Sequence, residues 1–375
     1  MYRCYLTLSV LALLLVVPNL FLAGVTDPKQ YKKNEKMKGD PQTILQLQNL
    51  LDQYSKDKPG FTFMAKYDNG VYYDGTAGLA SLSPKRNMKA NDVFNLASVS
   101  KQFTAFAILL LEKDKKLSLD DSVYKFMPEL GEYVKPVTIS NLIHHTGGIS
   151  DYMQLAEEKG MIYGDDILTG EESLKHLYEL TRTEFIPGTE FEYSNTGYFL
   201  LAQIVEKVSG MSIKEFSRTR IFEPLRMTNT FIVDQYPIKQ DYVLSYDKQG
   251  KVHEVKWNHT GDGAVHSNVH DLMIWGENIT SGEVGGKDLV KKFVTPFSPI
   301  DVHGKQVAKY EPYAFGLKES KIQNENALEH SGGWESYETN FIRIPSKKLT
   351  IAVLANNEEV DAINISHEIA KILLQ

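Results

Sequence analysis

Residues 93–123 read VFNLASVSKQFTAFAILLLEKDKKLSLDDSV: a β-like run, then Ser98-Val99-Ser100-Lys101, then a long apolar helix. Ser98 and Lys101 are three residues apart, so in a first helical turn they share a face. A serine hydroxyl is a poor nucleophile and needs a base beside it. A lysine amine serves as that base once burial disfavours its charge. The start of a helix adds free N–H groups and partial positive charge where an oxyanion would form. The same Ser-x-x-Lys spacing recurs at Ser55/Lys58, Ser122/Lys125 and Ser245/Lys248, in polar or turn-like surroundings. Only Ser98 stands between a strand-like run and a buried helix. The competing reading makes Ser98 a simple helix cap and Lys101 a solvated cation.

Outward from this segment, both ends of the chain carry sheet. FTFMAKYDNGVYYDGTAG, residues 61–78, holds two β-rich runs around Asp68-Asn69-Gly70, a hairpin signal. NFIRIPSKKLTIAVLANN, residues 340–357, turns around Pro345-Ser346. A helix precedes the first hairpin. Asp40-Pro41 reads as cap and first-turn proline, and Ile44, Leu47, Leu51 and Tyr54 recur at helical spacing over 41–56. A second helix, AINISHEIAKILLQ, closes the chain. The expected architecture is α+β, an α/β sandwich. Its antiparallel sheet is flanked by the N- and C-terminal helices, with a mostly helical region inserted over roughly 105–290.

The 375 residues are 42% hydrophobic and 24% charged, with net charge −7, which suits a globular chain with a large core. An acidic balance argues against nucleic-acid binding. The single cysteine, Cys4, lies in the first segment, so the body holds no disulfide, cysteine metal cluster or cysteine nucleophile. Residues 1–24, MYRCYLTLSVLALLLVVPNLFLAG, follow the plan of a signal peptide, with Arg3 before an apolar run. Phe21 is large for the −3 position of a cut after Ala23, so an uncleaved anchor formed by residues 5–24 is the alternative. Export is expected either way, to the periplasm or outside the cell. Residues 25–40 read as a flexible Lys-rich tether, and 41–375 as the folded domain.

Two further motifs stand out. Tyr193-Ser194-Asn195 follows the turn Pro187-Gly188 and precedes an apolar helix. A tyrosine beside cations yields its proton more readily and can shuttle it. Asn195 can orient a substrate amide and hold Lys101. Helix capping by Ser194 or Asn195 is the competing reading. His330-Ser331-Gly332-Gly333 precedes the C-terminal hairpin, where small residues can line a strand edge for a docking substrate backbone. His145-Thr146-Gly147 is a competing match, but it precedes Tyr193.

Ser-x-x-Lys, Tyr-x-Asn and His-x-Gly, in that order and about a hundred residues apart, resemble the motifs of the class C β-lactamase and penicillin-binding-protein superfamily of serine hydrolases. The resemblance runs from about residue 45 to the C-terminus, and is strongest to the branch that includes DD-carboxypeptidases, D-amino-acid peptidases and esterases. It implies a β-lactamase/transpeptidase-like fold. By the same resemblance Ser98 is the nucleophile, Lys101 the base, Tyr193 the proton shuttle and Asn195 its polar partner. His330, Ser331 and Gly332 would line the substrate strand, and the backbone N–H groups of Ser98 and Gly333 would form the oxyanion hole. The reaction would be acyl transfer through an ester on Ser98, on a small-molecule or peptide substrate of cell-wall type, with no metal or organic cofactor.

One departure bears on substrate. Many β-lactamases carry lysine where this chain has His330, and an ordinary histidine is mostly neutral at pH 7. The resemblance therefore implies a peptidase or esterase before a β-lactamase. A receptor that acylates and stalls is the second hypothesis. No Gly-x-Ser-x-Gly elbow, His-Glu-x-x-His helix or Walker A loop occurs in the sequence. His144 and His145 are adjacent, which is not metal-ligand spacing on one helix face. Trp275 reads as core.

Overall fold

The computed structural model describes residues 39–161, 166–253, 256–297 and 312–375. The leader and nearly all of the tether lie outside them. Asp40 caps the first helix, α1 (Pro41–Leu51), by accepting the Thr43 N–H at 2.9 Å. The helix ends at Leu51, not at 56, because Asp52, Gln53, Ser55 and Lys56 offer nothing apolar to bury. The chain turns there, and Tyr54 packs edge-on against Phe61, ring centroids 4.8 Å apart.

Six strands form one sheet: β1 (Phe61–Tyr67), β2 (Tyr72–Ala77), β3 (Lys318–Ile322), β4 (Glu325–Trp334), β5 (Tyr337–Ile344) and β6 (Leu349–Ala355). Their order is β3-β4-β5-β6-β1-β2, every neighbouring pair antiparallel. Both expected hairpins are present, β1–β2 around Asp68–Gly70 and β5–β6 around Pro345-Ser346. The two ends of the chain meet at the β1–β6 pair, where Phe63 faces Val353.

Alternation along these strands divides the interior into two cores. Phe61, Phe63, Ala65, Ile342, Ile351 and Val353 pack with Leu47 of α1 and with Ile365 and Ile369 of the C-terminal helix (Ala362–Leu373). Met64, Phe341, Ala352 and Leu354 point the other way, into the helical region. There α2 (Lys101–Lys113) is buried from Lys101 to Leu111. It lies among α3 (Asn195–Ser209), α4 (Val269–Ser281) and Trp275, whose indole N–H donates to Gln102 Oε1 at 3.0 Å. The fold is α+β as expected. The inserted helices start at Lys101, not 105, because the apolar run is already helical there. Among the described residues, no helix is long and apolar enough to cross a membrane.

Candidate active site

Ser98 sits in a one-turn 3₁₀ helix (Ala97–Ser100) that leads directly into α2. The turn is sharp. Ala97 holds φ +47°, a left-handed conformation that side-chain-bearing residues rarely adopt, and its N–H is taken by Asn95 Oδ1 at 2.8 Å. Two neighbours fix the turn from outside. Thr339 Oγ1 donates to the Leu96 carbonyl at 2.9 Å, and Ser100 Oγ accepts the Val265 N–H at 3.1 Å.

Lys101 follows one turn later with no exposed surface. Its Nζ lies 3.0 Å from Ser98 Oγ, 2.9 Å from Asn195 Oδ1 and 2.9 Å from the Asp262 carbonyl. Asn195 Oδ1 and a peptide carbonyl only accept, so each takes a Lys101 N–H. The remaining position on the nitrogen points at Ser98. As an ammonium it donates to the hydroxyl; as an amine it presents a lone pair to the hydroxyl proton. The arrangement fits both ends of one proton transfer.

The Asp262 carbonyl is delivered by a loop that presses on α3. Gly261 has φ +102°, and a Cβ there would meet the Tyr198 carbonyl at 2.4 Å. Thr104 Oγ1 on α2 donates to the Gly261 carbonyl at 2.7 Å. The Asp262 side chain is buried and its carboxyl is pushed up by desolvation, which the Lys101 charge partly offsets. Its Oδ2 accepts the Tyr152 hydroxyl at 2.6 Å.

Tyr193 precedes α3. Ser194 is indeed that helix's cap, accepting the Gly197 N–H at 3.2 Å, while Asn195 reaches Lys101. The cap on Ser194 and the Asn195 contact with Lys101 are therefore compatible. The Tyr193 ring centroid lies 4.9 Å from Lys101 Nζ, and the residue is 41% exposed. Ser98, Tyr193, Asn195 and Gly333 open onto one cavity of about 260 Å³. Its other walls include Tyr152, Met153, Tyr236, Trp257, Asp262 and Trp334.

The third motif lies on β4, beyond the last residue paired with β3, which is Glu329. Gly333 is exposed at the cavity, whereas His330 and Gly332 pack inward. A Cβ on Gly332 would stand 2.4 Å from the Leu96 carbonyl and 2.9 Å from Ala97 Cβ, so glycine lets the strand approach the serine turn. Ser331 pairs with Asn340 of β5. His330 is 6% exposed, not a surface histidine. Its Nδ1–H donates to the Ser331 carbonyl at 2.6 Å and its Nε2 accepts the Tyr313 hydroxyl at 2.9 Å. Desolvation, helped by the Lys101 charge, pushes it down to about 3, so it is neutral at pH 7.

Four cavity residues are not among the site residues expected from the sequence. Trp257, His259 and Asp262 share one loop and Tyr152 opens a short helix, and none belongs to the three spaced motifs. His259 lies stacked on Tyr152, ring centroids 4.4 Å apart, and burial pushes it down to about 4. His145 also reaches the site, with its ring 4.4 Å from that of Tyr193. Among the described residues no cluster of His, Cys, Asp and Glu could hold a metal ion.

Known proteins share this chain's sequence and frame. The Beta-lactamase family model matches residues 47–374. Penicillin-binding protein 4* of Bacillus subtilis is 31% identical over 80% of this chain and 68% of its own length. The D-aminopeptidase of Gluconobacter oxydans is 24% identical over 80% of this chain, which spans 56% of that longer protein. Among solved structures, the octameric penicillin-binding protein homologue from Pyrococcus abyssi superposes with a TM-score of 0.74 at 28% identity, covering 89% of this chain and 77% of that one. A class C beta-lactamase shares the fold, with a TM-score of 0.71 at 19% identity over 88% of this chain and 95% of its own. The chain belongs to the Beta-lactamase family, as a serine hydrolase related to penicillin-binding proteins and D-aminopeptidases.

Proposed function

We propose that Ser98 attacks an ester or amide carbonyl, with Lys101 as its base. The contact of 3.0 Å between Lys101 Nζ and Ser98 Oγ, backed by two acceptor-only partners, carries this reading. The Ser98 proton moves to Lys101 as the Oγ–C bond forms. As the bond from the carbonyl carbon to the leaving group breaks, Tyr193 gives that group a proton and recovers one from Lys101; Asn195 holds Lys101 and orients the substrate, and the N–H groups of Ser98 and Gly333 take the developing oxyanion. Water releases the acyl group in the second half. His330, Ser331 and Gly332 support the strand along which the substrate backbone lies.

The substrate we infer is an ester or amide with an apolar or aromatic acyl part, bound without a cation to recognise a carboxylate. Tyr152, Tyr193, Tyr236, Trp257 and Trp334 supply the cavity's aromatic surface. Among the described residues lining it there is no lysine or arginine, and the one carboxyl is Asp262. His330 adds no charge above pH 5, given its position at about 3. The likeness to D-aminopeptidases makes D-amino-acid amides and short D-peptides of cell-wall type the amide candidates.

The test is a panel of p-nitrophenyl esters, D-amino-acid p-nitroanilides, D-Ala-D-Ala peptides and nitrocefin. An ester or anilide should exceed nitrocefin in kcat/KM by about 100-fold, the range that loss of a charged contact commands. Nitrocefin as the best substrate would overturn the substrate assignment. A penicillin adduct that persists in intact-mass spectra, with no turnover of the panel, would favour a receptor. We further propose that residues 1–24 export the chain, and fractionation of cells producing it with a C-terminal tag tests this. Tagged chain found only in the cytoplasm would refute export.

A further inference from the structure

His145 belongs to the motif that competed with His330, and the proposed chemistry gives it no task. Its surroundings give it one. The residue brackets Tyr193 along the backbone: its carbonyl accepts the Glu192 N–H at 2.9 Å, and its Nδ1 accepts the Ser194 N–H at 3.1 Å. The N–H groups of both neighbours of Tyr193 are thus held by one residue. The imidazole also lies against the phenol ring itself, centroids 4.4 Å apart and planes tilted by 35°. Tyr313 and Tyr198 close the remaining faces at 4.6 and 5.3 Å. The residue is 1% exposed and adopts φ +56°, an uncommon left-handed backbone that aims its ring and carbonyl at the same segment.

The bond from the Ser194 N–H requires an unprotonated Nδ1, which places the ring proton on Nε2. Nε2 is buried and meets no hydrogen-bond partner. Burial first, then the Lys101 charge, hold this histidine well below its ordinary value, so the acceptor is permanent at working pH. His145 touches none of the reacting groups except through Tyr193.

We propose that His145 is the positioning residue for Tyr193, fixing the phenol over Lys101 through the N–H groups of Glu192 and Ser194 and the ring contact. The inference rests on Tyr193 being the proton shuttle. A shuttle displaced by even 1 Å loses much of its rate, so the residue that sets its place should be coupled to it energetically.

A double-mutant cycle in kcat/KM on a p-nitrophenyl ester tests this. His145→Ala should cost about 30-fold in the wild-type background and under about 3-fold in Tyr193→Phe. His145→Asn, whose Oδ1 falls near the place of Nδ1, should recover to within about 5-fold of wild type, whereas His145→Gln, with its acceptor one bond further out, should not. Should His145→Ala fail to fold, the Asn and Gln variants carry the same cycle. Equal losses in both backgrounds, or no difference between Asn and Gln, would overturn the inference. A silent Tyr193→Phe would instead remove the shuttle role and leave His145 with nothing to position.

Discussion

Lys101 Nζ and Ser98 Oγ stand 3.0 Å apart, on a lysine with no exposed surface. A buried amine this close to a hydroxyl is expensive to keep unless its other hydrogens are satisfied, and Asn195 and the Asp262 carbonyl satisfy them. The relationship is local in the chain but is completed by α3 and by the 260–264 loop. The reactive pair therefore exists only in the folded state.

The first prediction follows from that dependence. Ser98→Ala and Lys101→Ala should each lower kcat/KM for an ester by about 1,000-fold or more, and the double variant should be no worse than either, because the two act as one unit. A fluorophosphonate should add its mass to the wild-type chain and leave Ser98→Ala unlabelled. Labelling that persists in Ser98→Ala would place the nucleophile elsewhere.

Asn195 should matter through Lys101 as well as through substrate. Asn195→Ala removes one acceptor from the buried ammonium and leaves its partner unsatisfied, which costs about 1–3 kcal/mol in stability or in transition-state binding. Asn195→Asp keeps an acceptor and adds a charge partner. The two variants should differ in thermal midpoint, Asn195→Asp lying higher. The reverse order would mean that the bond at 2.9 Å adds nothing to holding Lys101.

Gly332 and Gly333 are neighbours with opposite expectations. A Cβ on Gly332 meets backbone, the Leu96 carbonyl at 2.4 Å, so β4 and the serine turn must separate. Gly332→Ala should destabilise by about 2 kcal/mol, the usual cost of overpacking. A Cβ on Gly333 meets only the Glu338 carboxylate end at 3.3 Å, which can swing aside. Gly333→Ala should keep its free energy of urea unfolding within about 0.5 kcal/mol of wild type. Equal losses would show that close packing at Leu96 is not what selects glycine.

These residues also mark what the sequence could and could not disclose. Ser98 and Lys101 were legible because both lie within one turn, where spacing alone sets their proximity. The sheet was legible because β1, β5 and β6 alternate cleanly between two cores, and its hairpins carry their own turn residues. Asp262 was not, because it touches Lys101 through a carbonyl that every residue possesses. His145 was readable only as a rival to His330, since its contacts to Glu192 and Ser194 span nearly fifty residues of chain. The packed state of His330 escaped notice for a similar reason: Tyr313, which accepts no pattern with it, supplies the bond that holds it.

Buried neutral histidines predict a specific response to acid. His144, His259 and His266 are each pushed down to about 4, and His330 to about 3, with burial the leading cause in all four. An unfolded chain takes protons at these positions near pH 6.5, and the folded chain does not. Between pH 6.5 and 4 the unfolded state therefore binds more protons, and stability falls as pH falls, by up to about 1.4 kcal/mol per pH unit for each histidine. Glu338 acts with the opposite sign. Burial, with Asp361 and Glu358 adding repulsion, raises it to about 7, so its contribution is full below about 4.5 and is lost as pH rises through 7. It is half-exposed, and four buried imidazoles outweigh it. Urea unfolding at pH 7, 6 and 5 should show stability dropping with each step. His266→Phe keeps the stack on Phe231, whose ring centroid lies 5.3 Å away, and removes one proton-binding group; because His145 is depressed as well, the slope should lessen by about a fifth. Stability that stays level or rises on acidification from pH 6.5 to 4.5 would mean that these imidazoles take up protons in the folded chain.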